Sequence, residues 1–183
     1  MIIGLTGYAQ SGKDTAAKIL TDNYKFERVA FADPIRNLLL DVNPMVDYVA
    51  GEPVFLASYV KHYGWEAAKK NPRIRALLQT LGVSARNHID EFVWIATAFR
   101  KMGDLGANYV ITDVRFENEA DQIKAIGGQI WRIERSGVKA VNSHVSESQM
   151  DQYPVDQTFT NNGTIEDLQV MINTRMSGVL THG

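Results

Sequence analysis

The sequence predicts an α/β fold of three layers built on a mostly parallel sheet of about five strands. Short apolar runs alternate along the chain with segments of helical period, the order expected of strands joined by crossover helices. The first run ends in a glycine-bounded turn that leads straight into a helix, a junction that parallel sheets use at their carboxyl edge. At 183 residues, one domain with an insertion is the natural size.

Ile2 to Thr6 is a short apolar run closed by Gly7, which suits a strand covered on both faces. From Ser11 onward, Ala16, Ile19, Leu20 and Asn23 recur at helical spacing with no Gly or Pro among them. "RVAFADP" reads as a second strand, and Asp33-Pro34 as the start of a helix carrying Ile35, Leu38 and Leu39. Residues 43 to 70 mix periods and predict an irregular, partly helical insertion. Asn71-Pro72 repeats the cap signature, and the helix it opens is expected to stop at Gly82. Phe92, Ile95, Ala96 and Phe99 mark another helix, ended by Gly103.

"NYVITDVRF" predicts the third strand, "ENEADQIKAIGG" a helix stopped by its glycine pair, and "QIWRIER" the fourth strand. Residues 136 to 153 are polar and predict no long element. "QTFTNNG" closes the sheet, and a terminal helix follows with Thr164 and Asp167 as a capping-box variant.

Composition narrows the function. With 45% hydrophobic and 22% charged residues, the chain is ordinary for a globular protein with a real core. A net charge of −2 argues against a nucleic-acid binder that works through bulk positive charge. The absence of cysteine excludes disulfides, zinc-thiolate sites and thiol catalysis. Met1 to Gly4 carry no basic leader and "FVWIATAF" is too short to span a bilayer, so neither a signal peptide nor a membrane anchor is expected.

Gly7-Tyr-Ala-Gln-Ser-Gly12-Lys13 satisfies G-x-x-x-x-G-K. The glycines clear side chains where the backbone must wrap an anion, and the next helix turns its unpaired N–H groups toward it. Lys13 adds a full charge able to bridge the β- and γ-phosphates of a nucleotide. Roughly one window in 3,000 matches by chance at average composition, and here the required strand and helix flank the match. Gly7, Gln10, Ser11, Gly12, Lys13, Asp14 and Thr15 are therefore expected to hold a polyphosphate. Asp14 stands where Ser or Thr usually meets magnesium, with Thr15 one position later. Asp14, Thr15 and a downstream Asp are candidate metal contacts acting through water.

A second constellation is "VITDVRFENEAD". Asp113 ends a buried strand on the edge where parallel sheets bind ligands, and can orient a metal-bound water or take a proton. Arg115 can hold a phosphate with both arms of its guanidinium. Structural roles are open to the same residues: Asp113 can cap the next turn, and Arg115 can pair with Glu117 or Glu119.

Taken together, "GLTGYAQSGKDTAA", "FADPIR", "LLQTLG", "VITDVRFENEA", "IGGQIWRIER", "HVSES" and "TNNGTIEDL" resemble the bacteriophage deoxynucleoside monophosphate kinases, in the expected order over nearly the whole chain. The stretch "LGVSAR" departs from that family's pattern, in which a Thr-Glu pair and a Gly-Arg often follow the Leu-Gly. A weaker likeness links "GKDT" and "TNNG" to phosphomevalonate kinases.

The resemblance implies a three-layer P-loop kinase spanning 1–183, with a helical acceptor-binding insertion at 34–102 and a flap at 136–150. It implies transfer of the ATP γ-phosphate, with Mg2+, to a (deoxy)nucleoside monophosphate in a cytoplasm, that of the host if the protein is viral. A kinase of another phosphorylated metabolite, of phosphomevalonate or dephospho-coenzyme A type, is the alternative, and a nucleotide-dependent switch ATPase a further one. Lys13, Asp113, Arg115 and Arg135 are then expected to be catalytic, and Asn162 to join the loop in binding ATP. Asp33, Arg36, Gln79, Arg86, Arg115 and Glu117 are expected to face the acceptor. Asp14, Thr15 and Asp113 would hold the metal. Expected partners are small molecules alone, with no nucleic acid or membrane, and a homodimer is compatible with the sequence.

Overall fold

The computed structural model describes residues 1–103, 106–138 and 149–180, with side chains through 178. The segment 139–148, most of the expected flap, lies outside the described residues. The chain divides into two compact units, Met1–Ala30 with Lys101–Gly183, and Phe31–Arg100.

The first unit holds a five-stranded sheet in the order β2-β5-β1-β6-β7. Its strands are β1 (Ile2–Thr6), β2 (Glu27–Val29), β5 (Tyr109–Ile111), β6 (Gln129–Glu134) and β7 (Gln157–Thr160). Every pairing is parallel, with Gly4 of β1 opposite Ile111 on one side and Ile130 on the other. All five residues of β1 are buried, as the unbroken apolar run requires of a central strand.

Helices α1 (Lys13–Tyr24) and α7 (Ile165–Leu180) cover one face, where Leu5, Ala16, Leu20, Trp131, Ile133, Phe159, Leu168 and Ile172 form the core. Helix α6 (Glu117–Ala125) covers the other face. A Cβ at Gly4 would lie 2.8 Å from Ile123 Cδ1, so glycine there allows the close approach. Thr164 and Asp167 cap α7 reciprocally, the Thr164 N–H donating to Asp167 Oδ2 at 2.8 Å and the Asp167 N–H to Thr164 Oγ1 at 3.2 Å. Their hydrogen bonds, the backbone one first, hold the Asp167 carboxyl below its ordinary range.

The second unit contains α2 (Ala32–Val42), β3 (Met45–Val49), β4 (Glu52–Phe55), α3 (Leu56–Ala68), α4 (Pro72–His88) and most of α5 (Val93–Met102). Three sequence expectations are corrected here. Residues 45–55 form an antiparallel hairpin rather than irregular chain, turned by Ala50 and Gly51 at φ 52° and 86°. Paired positive φ values are the hairpin geometry that Asn-Gly usually announces, and an Ala-Gly turn does not.

Helix α2 begins at Ala32, one residue before Asp33, and Asp33 pairs with Arg36 at 3.0 Å rather than serving as N-cap. Helix α4 runs through Gly82 to His88. Glycine costs a helix interior about 1 kcal/mol relative to alanine, but here it makes room: a Cβ would meet Ile35 Cδ1 at 3.3 Å. The Gly82 carbonyl also accepts the Trp94 indole N–H at 2.9 Å. At the other end of α4, Asn71 caps as expected, accepting the N–H of Arg73 at 2.9 Å.

Candidate active site

The loop between β1 and α1 follows the central strand and turns at Gly7, Gln10 and Gly12, whose φ values are 130°, 67° and 109°. Positive φ values at these three positions bend the backbone sharply between strand and helix, a loop form able to aim N–H groups at an anion. Both glycines are also required by space. A Cβ at Gly7 would sit 2.2 Å from the Ile133 carbonyl oxygen, and one at Gly12 2.2 Å from Asn161 Nδ2.

The Lys13 ammonium donates to the carbonyls of Gly7 and Tyr8, each at 2.7 Å, which pins the charge to the loop that bears it. The Ser11 hydroxyl oxygen is buried with no hydrogen-bond partner among the described residues, Ser11 being 1% exposed. An orphaned donor of that kind inside an anion cradle fits a phosphate oxygen.

Around the loop lies a cavity of about 440 Å3 lined by Gly7, Tyr8, Ser11, Lys13, Arg115, Arg132, Glu134, Arg135, Asp151 and Thr160, among others. Three arginines and a lysine make the lining cationic, and Glu134 and Asp151 set carboxylates against them. The arginines are not equivalent. Arg132 Nη2 donates to the carbonyl of Tyr153 at 3.0 Å and also to that of Met150, which commits it to holding the turn at 149–153. Arg115 and Arg135 are exposed at the carboxyl ends of β5 and β6.

The same turn reaches the phosphate loop a second way. Tyr8 donates its hydroxyl to Asp151 Oδ2 at 2.8 Å, a bond that raises the Tyr8 pKa above its ordinary value. Behind it, the Tyr153 hydroxyl donates to Asp121 Oδ1 at 2.7 Å, and Lys124 Nζ lies 5.1 Å from the Tyr153 ring centroid.

Past β5, Asp113 is half-buried and Glu117 opens α6 at the surface. The loop between them is held from within. Glu119, 2% exposed, accepts the backbone N–H of Arg115 at 2.7 Å and of Phe116 at 3.1 Å. The sequence leaves the Arg115 side chain open to pairing with Glu117 or Glu119, and the structure shows Glu119 holding the Arg115 backbone N–H as well. Phe116 stands at the N-cap without a capping side chain, so no capping-box signature in the sequence announces that bond.

Asn161 and Asn162 take different roles. Asn161 is 6% exposed and its Nδ2 donates to the Ser11 carbonyl at 2.9 Å. Asn162 is exposed, and its Oδ1 accepts the Ser136 N–H at 2.8 Å.

In the second unit, Asp33 and Arg36 form their pair on the first turns of α2, with the Arg36 guanidinium 5.7 Å from the Trp65 ring centroid. Gln79 and Arg86 are half-buried on α4 and, seven residues apart, share a face of that helix.

The expected metal contacts are hard oxygen donors: the half-buried Thr15 hydroxyl on α1, exposed Asp14 and half-buried Asp113. No group of three or more His, Cys, Asp or Glu side chains among the described residues could cage an ion. That donor set fits Mg2+ held largely by phosphate oxygens and water. No helix among the described residues is long and apolar enough to cross a membrane.

The chain is similar to proteins of one named family. The family model for deoxynucleotide monophosphate kinase matches residues 54–172. A protein of Acanthamoeba polyphaga mimivirus that carries a provisional deoxynucleotide monophosphate kinase name is 31% identical over 195 residues, 94% of each chain. The deoxynucleotide monophosphate kinase of Escherichia phage RB69 is 31% identical over 100 residues, 52% of this chain and 41% of that protein. Shikimate kinase from Aquifex aeolicus superposes with a TM-score of 0.52 over the full length of both chains. At 12% identity that likeness shows the fold alone.

Proposed function

This chain belongs to the deoxynucleotide monophosphate kinase family, and from that premise we propose that it transfers the γ-phosphoryl group of ATP to a deoxynucleoside monophosphate. The products are ADP and the deoxynucleoside diphosphate. The observation that carries the reading is the Gly7–Lys13 loop, with its pinned ammonium and orphaned Ser11 hydroxyl, opening into a cavity rimmed by Arg115 and Arg135. The comparisons favour it over a phosphomevalonate or dephospho-coenzyme A kinase.

An acceptor phosphate oxygen forms the new bond to the γ-phosphorus while the bond to the β,γ-bridging oxygen breaks, its electron pair leaving with ADP. The nucleophile is already anionic near neutral pH, so no strong base is needed; a phosphomonoester loses its second proton near pH ~6. The work left to the protein is positioning and charge neutralisation.

Loop N–H groups and Lys13 grip the β- and γ-phosphates, and Arg115 and Arg135 offset the charge that builds on the transferring group. Bound Mg2+ would neutralise phosphate oxygens further, held by Thr15, Asp14 and Asp113 through water. In the second unit Arg36 takes the acceptor phosphate, with Asp33 orienting its guanidinium and Gln79 and Arg86 as further acceptor contacts; Glu117 is the first unit's candidate acceptor contact.

A coupled assay of ADP release against a panel of deoxynucleoside and nucleoside monophosphates tests the proposal. ADP should appear only when a monophosphate acceptor is present. Release at the same rate without acceptor would point to a nucleotide-dependent switch instead.

A further inference from the structure

Resting on the kinase reading above, we infer that Asn161 is a positioning residue for ATP, acting through the Ser11–Gly12 peptide of the phosphate loop. Asn161 follows the last strand, 150 positions away from Ser11 in sequence. Its own backbone is fixed first: the Asn161 N–H donates to the Glu134 carbonyl at 2.7 Å, extending the β6–β7 ladder by one bond. From that anchored position its Nδ2 donates to the Ser11 carbonyl at 2.9 Å.

The consequence lies on the other side of the peptide. A trans peptide points its C=O and N–H in opposite directions, and the described residues contain no cis bond. Holding the Ser11 carbonyl on Asn161 therefore turns the Gly12 N–H away from Asn161. In a loop whose function is to aim N–H groups at phosphate, that orientation sets one of the donors.

The side chain also occupies the volume that a Cβ at Gly12 would need, 2.2 Å from Nδ2. Glycine at this place is thus matched to the amide as well as to the turn.

The direction of each bond supplies a test. Ser11 offers a carbonyl, so Asn161 must use its NH2 group; Ser136 offers an N–H, so Asn162 must use its oxygen. At position 161 the isosteric change Asn→Asp removes the donor and adds a charge, while Asn→Ala removes the donor without adding one.

ATP binding to the parent, Asn161→Asp and Asn161→Ala is measured by calorimetry, with steady-state KM values for ATP and for dNMP alongside. Loss of one positioned bond, with a buried carbonyl left unpaired, should weaken ATP binding about tenfold. Both Asn161 variants should show that loss in ATP Kd and KM while dNMP KM changes less than about twofold.

A loss in Asn161→Asp with none in Asn161→Ala would make charge alone responsible and overturn the inference. So would unchanged ATP binding in both Asn161 variants, or failure of both to fold. A parent chain that binds no ATP would instead sink the kinase reading.

Discussion

Glu119 holds the backbone N–H of Arg115 at 2.7 Å from inside the protein, a buried carboxylate bracing the loop whose residues face the cavity. The strand end supplies Asp113, the loop supplies Arg115, and Glu119 ties that loop to the first turn of α6. A surface arginine gains a fixed base this way without burying its own charge.

Replacing Glu119 with alanine strips two N–H groups of their acceptor, those of Arg115 and Phe116. Leaving them unpaired costs about 2 kcal/mol of stability. Urea unfolding should register that loss, and Glu119→Gln, which keeps an acceptor oxygen, should recover more than half of it. Equal losses in the two variants would refute the bracing role.

The loop glycines should divide by what their Cβ meets. Gly7→Ala drives a methyl to 2.2 Å from a backbone oxygen of a central strand, where nothing can move aside. A cost above about 2 kcal/mol is expected. At Gly137, also at positive φ (80°), an added Cβ would meet nothing within 4 Å among the described residues, so alanine there costs the backbone term, about 1 kcal/mol. Thermal unfolding of the two variants checks the order.

Tyr153 carries a pH signature. Burial, then its bond to Asp121, pushes its phenol well above the ordinary 10.0. A raised folded-state pKa contributes stability that is fully present below pH 10 and is lost as pH rises through the folded value. The stability gap between the parent and Tyr153→Phe should be constant below that pH and change above it. Absorbance titration should also show one late-ionising tyrosine fewer in the variant.

Arg36 combines an ion pair to Asp33 with a position over Trp65, and its Nε is buried with no hydrogen-bond partner among the described residues. Lysine has neither the planar fork nor the stacking face. Both Arg36→Lys and Arg36→Ala should raise dNMP KM about tenfold and leave ATP KM near the parent value. A lysine variant with parental dNMP KM would remove Arg36 from the acceptor site.

Local chemistry explains what the sequence disclosed. The phosphate loop was legible because its strand, glycines, lysine and helix lie within residues 2 to 24 and each constrains the next. The centre of the sheet was legible because β1 and β5 are buried along their whole length and largely apolar. The hairpin at 45–55 escaped because Ala50 adopts a positive φ that its residue type does not announce. Gly82 reads as a stop signal until Ile35 and Trp94, distant in sequence, are packed against it. The roles of Asn161 and Arg132 depend on carbonyls of Ser11, Met150 and Tyr153, and backbone acceptors leave no mark on residue type.

The most direct test follows phosphorus itself. The chain is incubated with ATP, Mg2+ and each deoxynucleoside monophosphate, and the products are resolved by 31P NMR for the parent and for Lys13→Ala. The account predicts ADP and one deoxynucleoside diphosphate in equal amounts from the parent, with the rate down at least about 100-fold in Lys13→Ala. Inorganic phosphate in place of the diphosphate, or a Lys13→Ala variant as fast as the parent, would contradict it.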